Sequence, residues 1–445
     1  MSIVSPQDAA RLQSLVEAIL ARAEKAGASQ AAAAASIDTG LSVTARLRDV
    51  ETLEQQRDHA LGVTVYFGRH KGSAASTDFS EAAVNDTVDK ACSIAKETSE
   101  DAFAGLADVE RMADDIPDLD LEHPWALDTD EAIRAALEGE AAALDYSKNI
   151  DNTEGATLTT HGGVRVYGNT HGFLGIERST SHSLSCAPVA RNGTGMQRDY
   201  YYTLARDPAD LEQPATVGEQ AARRTLERLG AHPIRTCQVP VVFPAELARG
   251  FIGHFVAAIR GAAQYRGASF LLNAAGERVF PEYVQISEQP HLLKAMASAA
   301  FDNEGVATRE RKLIDHGVLT GYVLSSYSAR KLGLETTGNA GGIHNLVVEP
   351  NSGDLKELLR QMGRGFLVRE LMGYGVNTVN GDYSRGAAGF WVEDGEIKHP
   401  VEEVTIAGNL RDLYRNVVAI GNDTDTRGSI RTGSILVERM TIAGQ

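Results

Sequence analysis

Residues 244–260, PAELARGFIGHFVAAIR, come nearest in this chain to a catalytic helix. Ala248, Phe251, Ile252, Phe255, Val256 and Ile259 recur at intervals of three and four, which gives a helix one apolar face. Pro244 followed by Ala-Glu-Leu opens it, because proline is tolerated in the first turn and an acid suits the positive end of the helix dipole. A single histidine, His254, sits in the middle. One imidazole is too few donors for a catalytic zinc, which takes about three protein ligands and keeps a position open for water. His254 therefore either touches a ligand or sits satisfied in the interior, and the interior role is the plainer of the two.

Other candidates are weaker. The run GDYSRG at 381–386 approaches a GxSxG nucleophile elbow, but its glycines are five apart instead of four, which argues against Ser384 as a nucleophile. His161, His171 and His182 lie in a glycine-rich region at spacings of 10 and 11, which on strands do not converge on a metal. The loop Asn339-Ala340-Gly341-Gly342-Ile343-His344-Asn345 is rich in glycine but matches neither phosphate-binding fingerprint. Its small residues allow another backbone to approach closely, or simply form a bulged turn. Cys92, Cys186 and Cys237 have no CxxC spacing and read as small buried hydrophobes.

These groups need a scaffold. The chain has 445 residues, too many for one ordinary domain, and 43% hydrophobic residues, ample for a core without disulfides. The net charge of −17 argues against general affinity for nucleic acid or anionic membrane. No apolar run reaches a membrane span, and the start MSIVSPQDAARLQ lacks a basic stretch and an apolar core, so a cytoplasmic protein is expected.

The pattern predicts a helix from Ser5-Pro6 to about Gly27, then strands at 32–37, 41–47, 51–57 and 62–68. A helix capped by Thr77-Asp78 runs to Glu97. The acidic stretch 113–124, ADDIPDLDLEHP, reads as a crossover in which a solvated loop is the plainer reading and an interaction patch the sharper one. A helix at 129–146, strands at 156–160, 163–167, 174–185 and 196–206, and a helix at 215–229 follow. Gly230 and Pro233 place a boundary there, giving an N-terminal α/β domain over 1–230 and a β-rich domain over 231–445. In the second, strands are expected at 238–243, 279–286, 306–313, 319–325 and 367–373, then a hairpin 389–393/396–398 across Asp394-Gly395, with 403–406, 410–411 and 434–437 completing it.

Three long segments carry a resemblance. FLLNAAGERVFPEYVQI at 270–286, SYSARKLGLETTGNAGGIHN at 326–345 and GDYSRGAAGFWVEDGEIKHPVEEVTIAGNL at 381–410 are similar to the TldD/PmbA family of metallopeptidases. LGVTVYFGRHKGSAASTD and DNTEGATLTTHGGVRVYGNTHGF fit the same family, so the resemblance spans nearly the whole chain. It is strongest to the PmbA (TldE) branch, which pairs with TldD. The resemblance implies an α+β fold: an N-terminal α/β domain and a C-terminal domain on a large curved antiparallel sheet.

TldD-type subunits hold zinc with an HExxxH helix and a later cysteine. Here Gly253, His254 and Ala258 stand at the positions of the first histidine, the glutamate and the second histidine, and the last cysteine, Cys237, precedes the helix. The resemblance thus implies no catalytic residue and no metal in this chain, with zinc expected in a TldD-type partner. Histidines five apart diverge by about 140° on a regular helix at roughly 100° per residue, so the motif needs a π-like widening, of which Gly253 is either a relic or a packing glycine. The substrate-binding candidates are His254, Gly341, Gly342, His344, Asn345, Tyr383 and Arg385, along a wall for an extended or unfolded peptide. A self-associating peptide-binding protein without catalysis is the alternative, and a homodimer is expected if the chain stands alone. Roles of the family include trimming the leaders of modified peptide antibiotics and degrading small, partly unfolded proteins.

Overall fold

The computed structural model describes residues 5–193 and 195–444. The N-terminal half is organised on a seven-stranded antiparallel sheet whose central members are unusually long: Gln30–Arg46, Asp49–Phe67, Ile150–Asn169 and Leu174–Asn192. The breaks expected at Asp38-Gly40 and at 58–61 do not occur. Gln30–Arg46 is paired on both sides, so Gly40 stays in register between Gln56 and His161. A two-sided ladder holds the backbone of glycine extended whatever its own preference. The strand expected at 196–206 is two short ones, Gly195–Arg198 and Tyr201–Ala205.

Alternation decides which face of this sheet is covered. Ala31, Ala33, Ala35 and Ile37 are buried under the helices Pro6–Lys25 and Glu81–Glu97, and Leu41, Val43 and Ala45 under Thr129–Asp145 and Pro214–Glu227. The cap of Glu81–Glu97 is Ser80, not the expected Thr77-Asp78: Asp78 accepts the N–H of Ser80, and the Ser80 hydroxyl takes that of Ala83.

The C-terminal half has a six-stranded sheet in the order 396–409, 382–393, 365–372, 237–243, 435–443, 417–420. The first and fifth of these also pair, Ile406 opposite Ile442, so the sheet curls back on itself. All its pairs are antiparallel except Phe366–Leu367 against Val241–Val242. The helix Ala245–Ile259 runs through the core of this half, its six predicted apolar residues all buried. Phe251 stacks on Phe243 at 5.1 Å and packs on Tyr414 at 4.8 Å, and the Tyr414 hydroxyl donates to the Phe251 carbonyl.

Several expected strands here are loops. Of 279–286 only Ile286 is extended, starting Ile286–Glu288, because Pro281 interrupts the run and Val279 and Phe280 both donate to Gly317. The strands near 306–313 and 319–325 shrink to Arg311–Asp315 and Val318–Leu319. Leu410-Arg411 begins a helix, Leu410–Arg415, capped by Asn409. In these stretches the apolar residues anchor loops in the core, which needs burial but no alternation.

The two halves are tied by charge. Arg369 pairs with Asp199 at 2.7 Å, Arg228 with Glu370 at 2.5 Å, and Arg224 with Glu246 at 3.1 Å, while Glu246 also holds Arg369 of its own half at 2.9 Å. No helix among the described residues is long and apolar enough to cross a membrane.

Candidate functional site

The helix Ala245–Ile259 is regular α throughout, with no π-like widening at Gly253. Its two flanking motif positions differ sharply. A Cβ on Gly253 would meet only Ile430, at 3.9 Å, so the helix surface there is open. Ala258 is fully buried, and its carbonyl is taken by Gln264 and Ser269, both at 2.7 Å.

His254 lies between them, half-buried, with Tyr383 edge-on at 5.9 Å. Burial, and then the positive charge of Arg385, hold its pKa below the ordinary histidine range, so the ring is neutral near pH 7. Tyr383 and Arg385 come from the strand Asp382–Glu393, two residues apart and so on one face. Burial raises the Tyr383 phenol to about 12. Arg385 donates from Nη2 to the Leu371 carbonyl at 3.2 Å, while its Nε is buried with no partner among the described residues. His254, Tyr383 and Arg385 are therefore one cluster.

The loop residues form a second, separate construction. Glu288, 1% exposed, accepts from Arg311 at 2.8 Å, Asn339 at 2.7 Å and the His344 N–H at 2.6 Å. The fully buried Asn345 side chain accepts from Ala297 and donates to Gln289 and Ser298. The His344 ring meets the Gly338 carbonyl at 3.0 Å. Gly341 and Gly342 sit at φ of +107° and +144°, where a side chain is strained, and a Cβ on Gly341 would strike Asn303 at 2.5 Å. So Gly341 and Gly342 shape the backbone, whereas His344 and Asn345 are consumed in holding it.

Between the loop and the C-terminal end of the helix is a cavity of about 320 Å³ lined by Arg260, Tyr265, Tyr327, Asn339, Gly341 and Gly342. Sequence reasoning missed Arg260. The signal was available, a cation placed directly after the apolar helix. It also missed Asp302, whose carboxylate accepts the N–H groups of Ala340, Glu304 and Val306 and fixes the loop from behind. Burial, and then the Glu304 charge, push Asp302 up to about 7.

The remaining sequence candidates disperse. Ser384 is exposed within a strand and is not at a strand-to-helix elbow. His161 faces Asp38 at 3.4 Å on the face of the long sheet opposite the helices, His171 sits in a turn on Gln30 and Ala107, and His182 is buried against Thr160 and the His123 carbonyl. Burial raises the thiol pKa of each of the three free cysteines.

The donor set does not fit zinc. Glycine and alanine offer no ligand atom, His254 stands alone beside a cationic Arg385, and no group of three His, Cys, Asp or Glu converges among the described residues.

Comparison with known proteins matches three family models: PmbA/TldA metallopeptidase domain 1 over residues 31–95, the central domain over 122–229 and the C-terminal domain over 236–444. A relative from Escherichia coli O157:H7, named Metalloprotease PmbA, is 49% identical and covers 100% of this chain and 99% of its own. A Bacteroides thetaiotaomicron crystal structure, described as a candidate modulator of DNA gyrase, superposes with TM-score 0.93 at 27% identity over 100% of both chains. TldE from Thermococcus kodakarensis shares the fold, with TM-score 0.85 at 21% identity over 97% of this chain and 100% of its own. Matched along nearly its whole length, the chain belongs to the PmbA/TldD family of metallopeptidases.

Proposed function

We propose that this chain is the subunit of a TldD/TldE-type heteromeric metallopeptidase that does not itself bind the metal. It works in the cytoplasm and holds an extended or unfolded peptide against a TldD-type partner. That partner carries the zinc and the general-base carboxylate. The observation that supports this most is the open helix surface at Gly253 beside a lone, neutral His254, in a chain whose family is one of metallopeptidases. The His254–Tyr383–Arg385 cluster at mid-helix and the Arg260–Gly342 cavity at its end give two contact points for one extended peptide. A neutral imidazole and two guanidiniums suit backbone carbonyls and carboxylates, with the Tyr383 phenol, 2% exposed, buried beside the imidazole.

The test compares this chain alone, a TldD-type partner alone and their mixture, for bound zinc and for cleavage of an unfolded peptide. The expected result is zinc in the partner only and peptidase activity in the mixture. Stoichiometric zinc in this chain alone overturns the proposal. So does a stable homodimer that ignores the partner on size exclusion after co-expression, which is the behaviour of a self-contained peptide-binding protein.

A further inference from the structure

The acidic crossover at 113–124 borders a feature that the proposed function does not use. The strand Leu174–Asn192 is paired along its length on one side, but its second neighbours cover only 182–186 and 189–192. At Thr180 the outward N–H donates to the Leu121 carbonyl and the carbonyl accepts from Arg206 at 2.9 Å, which closes that end. In an antiparallel ladder every second residue presents its N–H and C=O to the same side. Arg178 and Ile176 therefore present theirs to the open edge, where no strand among the described residues pairs with them.

Beside this edge lies a cavity of about 350 Å³, floored by Leu121, Ala300 and Phe301. Ile176 and Ile116 line its mouth, 37% and 42% exposed. Asp118, Glu122 and Glu177 stand on the rim; Glu122 pairs with Arg178 at 3.4 Å and Glu177 with Arg165 at 2.6 Å, so exposed Asp118 is the rim acid that no cation pairs among the described residues. The crossover itself adds Asp114, Asp115 and Asp120 and carries no lysine or arginine. An unpaired strand edge, an apolar hole at its side and a carboxylate rim together describe one kind of occupant.

We propose that the open edge at Ile176–Arg178 and its cavity bind an extended peptide with an apolar side chain flanked by basic residues. The peptide adds as a strand to the edge, its apolar side chain enters between Ile116 and Phe301, and its lysines or arginines meet the rim. Main-chain bonds supply the affinity and the alternate pocket the selectivity. The inference goes beyond the reading of the helix and does not depend on it, since binding is read on this chain alone, without partner or metal.

The test uses the purified full chain and a short fluorescein-labelled peptide of alternating lysine and leucine, followed by fluorescence anisotropy. Saturable binding is expected. Ile176→Glu weakens it by about tenfold or more, since one apolar anchor is lost to a charge. Asp118→Lys, an exposed change that leaves the fold intact, weakens it less. The same peptide N-methylated at alternate residues loses binding, because it cannot complete the ladder, and its glutamate counterpart does not bind. Circular dichroism and melting of both variants establish that they fold. Equal affinity of wild type and the two variants, or undiminished binding of the N-methylated peptide, overturns the proposal. A change of oligomeric state in Ile176→Glu without loss of peptide binding also overturns it, by assigning the edge to a second copy of the chain.

Discussion

At the middle of the helix Ala245–Ile259, His254, Tyr383 and Arg385 pack on one another with few hydrogen bonds and one buried guanidinium nitrogen unsatisfied. At the loop Asn339–Asn345, in the same half, nearly every polar group is spoken for, with Glu288, Asn345 and Asp302 each serving several partners. Buried polar groups left unpaired are costly and are tolerated where a ligand can complete them, while fully paired ones define shape. Both were equal candidates in the sequence; the contrast shows a loop whose polar groups define its shape, and on the proposed reading contact falls to the cluster.

Substitutions can break this contrast. The largest effect is expected at Glu288→Ala, which strands the Arg311 guanidinium and the donors of Asn339 and His344 in the interior. The expected loss is about 3–5 kcal/mol of unfolding free energy, read by denaturant titration. A loss of only a few tenths would mean that the loop is not held by its network.

Next is the pH dependence carried by Asp302. Its folded pKa, about 7, lies above the ordinary 3.8, so the folded chain holds the proton more tightly. Its contribution is therefore full at acid pH and is lost as pH rises from about 4 to 7, at up to ~1.4 kcal/mol per unit. Asp302→Asn removes this slope, and the stability difference between wild type and variant narrows across that window. A difference that is flat with pH would contradict the assignment.

The two motif positions give a smaller, paired effect. Ala258→His forces an imidazole into a filled core and costs about 1–3 kcal/mol. Gly253→Ala does the opposite: its new methyl meets nothing closer than 3.9 Å and should raise stability by about 0.5–1 kcal/mol, through better helix propensity. Equal melting temperatures for the two variants would erase the open-versus-filled distinction. The smallest stability effect is expected at His254→Ala, whose ring makes no hydrogen bond among the described residues. There the readout is cleavage by the mixture with a TldD-type partner, expected to fall while the partner's zinc content stays constant.

Much of the helix was legible in the sequence because its signal is local. A spacing of three and four picked out Phe251, Ile252, Phe255 and Val256, and all are buried. The family was legible from long runs such as 381–410. The loops around 279–325 were not, since Phe280, Val284 and Leu313 are buried by residues distant in sequence and leave no periodic trace. Nor were the uninterrupted strands at Asp38–Gly40, where pairing on both sides overrides glycine, and at 58–61, where the ladder with Gln30–Arg46 simply continues.

The residue types by themselves settled that Gly253 and Ala258 supply no ligand atom, because donor chemistry belongs to the side chain wherever it is placed. Only the tertiary structure decided that His254 meets Tyr383 and Arg385, from a strand more than a hundred residues later. Only it decided that His344 and Asn345 are occupied in the framework and that the crossover's acids border an open strand edge. Those facts depend on which groups remain unpaired after folding, and pairing across the chain is set by three-dimensional packing.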